Sequence, residues 1–161
     1  STKIYGSDNG SWLDRGITTE HAVQTFCRNV LGGFASSRFH RPPSGLGLSK
    51  TSINCIRTVR KIEEKVKLWD VTPRMDLIEA DSANLAYLTA RQGEVYVIYF
   101  TGKGKVNLDL TGSAVTFEIE WIPVETAEWG NPGTIPGGGW SEIESVFTGS
   151  CFAVLKKTGT L

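Results

Sequence analysis

The feature that most constrains this chain is a change of hydrophobic period near Thr72 and Pro73. Before it, apolar residues recur at helical spacing. Ala22, Val23, Phe26, Cys27, Val30 and Leu31 form one stripe, and Ile53, Ile56, Val59, Ile62, Val66 and Trp69 form another. After it the repeat is two, clearest where Val115, Phe117, Ile119 and Trp121 alternate with Thr116, Glu118 and Glu120. A period of 3.6 marks an amphipathic helix and a period of two marks a half-buried strand, so the chain reads as two parts of different architecture, 1–78 and 79–161.

The helical part carries its own punctuation. Thr18 or Thr19 is placed to cap the first helix, Gly32 and Gly33 to stop it, and Ser49 to cap the second. Short apolar runs precede each helix, Lys3 to Tyr5 and Phe34 to His40, the latter halted by Pro42 and Pro43. Strand, helix, strand, helix with short links is the βαβ pattern and asks for parallel strands. Two such units cannot cover both faces of their own strands, and 161 residues fall short of the roughly 250 of a whole eightfold barrel. Self-association through the incomplete sheet, or a longer polypeptide, would supply the rest; the abrupt start at Ser1 is read the same way.

The second part predicts antiparallel strands over Leu85 to Ala90, Glu94 to Thr101, Lys105 to Leu110, Val115 to Ile122, Ser141 to Val146 and Cys151 to Lys157. Thr101 to Lys105 reads as a hairpin turn and the Gly- and Pro-rich stretch from Gly130 to Gly139 as a long surface connection.

Asn29 to Pro43, NVLGGFASSRFHRPP, resembles the end of the catalytic barrel in bacterial glycoside-hydrolase-like proteins. The later strands Gly93 to Phe100, Val106 to Leu110 and Phe117 to Trp121 resemble the carboxyl-terminal sandwich of the same proteins, a module that bears the name collagen-binding domain. The resemblance implies an α+β chain: two terminal β/α units of a (β/α)8-type barrel, followed by an antiparallel β-sandwich accessory domain. It also favours an extracellular or periplasmic setting.

Charge and composition narrow the partners. Lysine plus arginine equals aspartate plus glutamate, 17 each, so no net field draws the chain to nucleic acid or an anionic membrane. Cys27, Cys55 and Cys151 are too scattered for a disulfide scaffold or zinc cluster and read as buried thiols. No cofactor or metal is expected. Carbohydrate, as polymer or glycoside, is the expected partner.

In a barrel, chemistry sits at the carboxyl ends of strands, which singles out Asp8, Arg38, His40 and Arg41. A glycosidase of the usual kind needs two carboxyl groups flanking the sugar. Asp8 is the single strand-end carboxylate here and fits an Asx turn as well as catalysis. The isolated chain is therefore not expected to hydrolyse glycosides. Arg38 and His40 share a strand face and, with Arg41, would hold a sugar or a carboxylate. Trp129 and Trp140 flank the glycine-rich loop and are the stacking candidates, whereas Trp121 sits on the dry face and reads as core. The competing reading is an autonomous, non-catalytic module that binds an extracellular polymer, carbohydrate or collagen.

Overall fold

The structure is a computed structural model that describes residues 2–6, 13–41, 45–47, 49–80, 82–83 and 85–159. Asp8, the weak catalytic candidate, lies outside the described residues. The described residues form eleven strands and two α-helices. Strands β1 (Thr2–Ile4) and β2 (Ser37–Phe39) form a parallel pair, with α1 (Thr19–Leu31) between them in sequence and α2 (Lys50–Glu63) after them. Thr18 Oγ1 accepts from the His21 amide, and Ser49 Oγ accepts from the Ser52 amide, so each helix starts on a side-chain cap.

The remaining strands are β3 (Thr72–Pro73), β4 (Ile78–Ala80), β5 (Ala86–Arg91), β6 (Val95–Phe100), β7 (Gly104–Asp109), β8 (Thr116–Pro123), β9 (Gly133–Pro136), β10 (Trp140–Ser145) and β11 (Cys151–Lys157). Six of them form one antiparallel sheet in the order β3-β5-β6-β11-β8-β9, and three form a second, β10-β7-β4.

The central strand explains the layering. In β6 all six residues, Val95 to Phe100, are buried, so the six-stranded sheet needs a cover on each face. On one face Tyr96, Ile98 and Phe100 join Phe117, Cys151, Ala153 and Leu155 and meet Val106, Leu108 and Ile143 of the three-stranded sheet. On the other, Val97, Tyr99, Phe152 and Val154 meet Phe26, Cys27, Cys55 and Ile62 of the two helices. The chain is thus a helical layer, a six-stranded sheet and a three-stranded sheet, with α1 also packed on β1 and β2 through Phe26 and Phe39, whose rings stack at 5.0 Å.

The expected pair of terminal (β/α)8-type barrel units is corrected by this arrangement. Among the described residues the molecule is mostly β, with two α-helices and three sheets, and the only parallel ladder there joins two strands of three residues each. The helices are committed to an antiparallel sheet because its apolar run leaves a second face to bury. A sandwich is present in part, as the two facing antiparallel sheets.

Local expectations fare unevenly. Strands β5 to β8, β10 and β11 lie within a residue or two of their expected limits. Glu120 belongs to the polar set of the β8 alternation, which reads as a solvated sheet face, yet its side chain is 13 % exposed and paired with Lys65, just after α2. The stretch from Thr101 to Lys105 is not a hairpin turn, since β6 and β7 belong to different sheets. Gly104 makes that corner with a φ of +156°, and a Cβ there would meet the Leu85 side chain. The Gly- and Pro-rich connection contains β9, which pairs with β8 at the sheet edge, where proline is tolerated. Helix α2 buries Ser52, Asn54, Cys55, Thr58 and Ile62, while Ile53 and Ile56, expected on its inner face, are 45 % and 50 % exposed.

Candidate functional site

Two recesses hold four of the residues that the sequence singles out, Trp140 in one and Arg38, His40 and Arg41 in the other. The first lies on the outer face of the three-stranded sheet. Alternation turns Val106, Leu108 and Ile143 inward and their neighbours outward. Register then sets Trp140 opposite Asp109, and Glu142 and Glu79 on either side of Asn107. Trp140 is 51 % exposed and with Asn107 and Glu79 lines a recess of about 440 Å3.

The polar groups of this face are held in place. Lys105 Nζ donates to Glu142 Oε1 at 2.9 Å. Asp109 Oδ1 accepts from the Thr111 hydroxyl at 2.6 Å and from its amide at 2.8 Å. Those two bonds, the hydroxyl foremost, favour the ionised carboxyl and hold Asp109 below the usual carboxylate range. A half-exposed indole beside an amide and a carboxylate offers an apolar plate and hydrogen-bonding partners, the composition of a small-ligand site.

The second recess, about 390 Å3, is lined by Lys3, Arg38, Phe39, His40 and Arg41 at the parallel pair. Register sets Lys3 beside Arg38. The His40 imidazole stacks on the Tyr5 ring at 4.6 Å between centroids, and the His40 amide continues the ladder by donating to the Ile4 carbonyl at 2.8 Å. Gly47 donates to the His40 carbonyl at 2.8 Å, so the strand end is tied to the chain leading into α2. Gly6, with φ of +153°, closes the other side, where a Cβ would run into Thr18 and Ala22 of the α1 start. Arg38, His40 and Arg41 are therefore brought together, as alternation and their proximity in sequence suggested.

Trp129 and Trp140 are not brought together. Trp129 packs against the helix-side core, and Lys65 Nζ sits 4.5 Å from its ring centroid, a cation–π contact. Trp121 is core-associated, flanked by Phe100 and Phe147.

A third cleft, about 310 Å3, opens between the starts of the helices and the end of β8, lined by Glu20, Lys50, Thr51, Asn54, Glu125 and Ser150 among others. Its floor is structural. The Asn54 amide donates to the Glu125 carbonyl, and Ser150 Oγ shares a 2.7 Å hydrogen bond with the Tyr99 hydroxyl. All three cysteines are free and buried. Burial pushes Cys55 up to about 12 and Cys151 to about 11, and Cys27 well above its usual value, so none is a nucleophile at neutral pH.

Sequence reading missed Lys3, Asn107 and Glu79. Asn107 was legible, since Val106-Asn107-Leu108 alternates cleanly. Lys3 and Glu79 needed the register of strands far apart in the chain.

No protein-family model matches the chain, and no curated protein sequence does either. Solved structures do. One described as a glycoside hydrolase superposes with a TM-score of 0.67 at 9 % identity, covering 90 % of this chain and 38 % of that one. Another, a glycoside hydrolase family 5 protein from Bacteroides vulgatus, gives a TM-score of 0.67 at 10 % identity, covering 88 % and 36 % respectively. The likeness is one of fold. This chain has the fold of part of those structures and spans under two fifths of their length.

Proposed function

We propose that this chain is an accessory, carbohydrate-contacting portion of a glycoside-hydrolase-like protein and does not itself cleave glycosides. The observation that carries the reading is Trp140, half exposed on an outward sheet face beside Asn107 and Glu79. An indole plate matches the apolar face of a pyranose ring, and the neighbouring amide and carboxylate suit its hydroxyls. The fold likeness to part of glycoside hydrolase structures supports the setting. Absence of cleavage at the two recesses that hold the singled-out residues is inferred from chemistry: Glu79 lines the Trp140 recess and no carboxylate lines the Arg38 recess, among the described residues, whereas the usual mechanism uses two. The reading rests on Trp140 more than on Trp129, whose ring is occupied by Lys65.

Affinity electrophoresis through gels containing neutral β-glucan, mannan or xylan tests this. The chain is expected to be retarded by at least one, and Trp140→Ala to migrate freely with an unchanged circular dichroism spectrum. Equal retardation of the variant, or none for the parent on any glycan, contradicts the reading. Release of reducing sugar by the purified monomer contradicts the non-catalytic part.

A second reading, association through the parallel pair, has its own observation. Strands β1 and β2 pair only with each other among the described strands, and Phe34, Ile53 and Ile56 leave apolar surface exposed nearby. Sedimentation velocity over a wide concentration range tests it, with Ile56→Ser expected to lower any association.

A further inference from the structure

The recess at the parallel pair has a charge pattern that the accessory reading does not use. Lys3 and Arg38 are directly paired in the ladder and are both exposed. Alternation sends both side chains to the face opposite Ile4 and Phe39, which pack on α1. Adjacent strands run about 4.8 Å apart, so two permanent cations project side by side, and like charges in that position are unfavourable unless something answers them. Among the described residues neither has an ion pair, although six ion pairs occur elsewhere. Arg41 and His40, each already engaged by a neighbour, complete the lining.

We propose that Lys3, Arg38, His40 and Arg41 form a binding site for a carboxylate-bearing sugar, the uronate unit of an acidic glycan. The guanidinium fork of Arg38 suits a carboxylate bidentately, and Lys3 adds a compact charge beside it. The His40 ring is braced by its stack on Tyr5 and gives the lining a flat aromatic surface. At about 390 Å3 the recess falls within the small-ligand range of roughly 300 to 1,000 Å3.

A sugar acid is favoured over a bare anion because the recess sets the His40 ring, braced on Tyr5, beside its cations. It is favoured over a neutral sugar because paired cations would stay unanswered. The Trp140 face has the opposite sign, with Glu79, Asp109, Glu142 and Glu144 set against Lys105. The two faces therefore sort glycans by charge, acidic units at the parallel pair and neutral ones at Trp140. This goes beyond the accessory reading and does not depend on the Trp140 contact.

The test titrates the full chain, at low ionic strength, with D-galacturonate, D-galactose, inorganic sulfate and polyglutamate, followed by nuclear magnetic resonance. Galacturonate and galactose differ at C6 alone, so the pair isolates the carboxylate. Galacturonate is expected to move the Arg38 and His40 resonances, with galactose leaving them in place. Arg38→Gln and Lys3→Gln should each weaken binding at least about tenfold, the loss of one charge-assisted hydrogen bond, and added salt should weaken it further. Arg38→Lys should fall between, retaining charge without the fork. Trp140→Ala should leave the galacturonate response unchanged, so failure here and failure of the accessory reading are distinguishable.

Equal binding of galactose, displacement by sulfate at the same concentration, tighter binding of polyglutamate, or no response to galacturonate would each overturn the proposal. The substitutions sit on an exposed strand face, and their circular dichroism spectra are expected to match the parent.

Discussion

The helical layer and the three-stranded sheet cover opposite faces of the same six-stranded sheet, yet they do so with different chemistry. The sheet side is apolar in depth. Val106, Leu108, Leu110, Ile143 and Phe117 are at most 1 % exposed. The helix side mixes in polar groups, with Ser52, Asn54 and Thr58 buried on α2, and leaves Phe34, Ile53 and Ile56 facing solvent. A helix that buries serine and threonine while exposing two isoleucines has a second apolar face without a cover among the described residues. The difference teaches that one cover is complete in itself, whereas the other still has apolar surface to place.

Truncation on the sheet-facing surfaces has the largest expected effect. Phe117→Ala opens the core under the three-stranded sheet, and Phe152→Ala removes the ring tilted against Tyr99 at 5.1 Å under the helices. Each should cost about 3 to 5 kcal/mol by urea denaturation. A cost below about 1 kcal/mol for Phe152→Ala alone would mean that the helical cover is loosely seated, and would break the symmetry of the two faces.

The buried thiols sharpen the same point through pH. Cys55 and Cys151 are pushed up from 9.0 to about 12 and about 11, chiefly by burial. A raised folded value means that their contribution is intact below pH 9 and fades as pH climbs through 9 toward 11 and 12, because the unfolded thiol releases its proton first. Each group adds a slope of about 1.4 kcal/mol per pH unit across its own window. One thiol lies on each side of the sheet. Cys55→Ala and Cys151→Ala should each flatten the alkaline loss of stability seen in chemical denaturation, and an unchanged slope would place that thiol in contact with water.

The smallest effect on stability is expected for Ile53→Ser and Ile56→Ser, within about 0.5 kcal/mol, as for ordinary surface positions. A loss above about 2 kcal/mol would show those residues to be covered after all.

The β half was largely legible because its signal is local. In β8 and β7 a period of two fixes which residues turn inward, and the run Val95 to Phe100 marks a strand, whose burial on both faces the structure adds. What alternation could not state was the nature of the second cover, so Glu120 read as solvated when it meets Lys65. The helices were legible as elements, through their caps and stripes, but not in orientation. Ile53 and Ile56 outrank Ser52 and Thr58 in hydrophobicity, and the packing against α1 and the helix-side core decided otherwise. The sites divide in the same way. Arg38, His40 and Arg41 lie close in sequence and were found together, and Trp140 was found as a plate. Its companions Asn107 and Glu79, and Lys3 beside Arg38, depend on long-range register. Asp8 lies outside the described residues.

The central claim is that unlike layers share one sheet and therefore one folding unit. Differential scanning calorimetry of the intact chain tests it most directly. The account predicts a single transition whose calorimetric and van't Hoff enthalpies agree. Two resolved transitions, or a calorimetric enthalpy well above the van't Hoff value, would mean that the helical layer and the sheets unfold separately, and would contradict it.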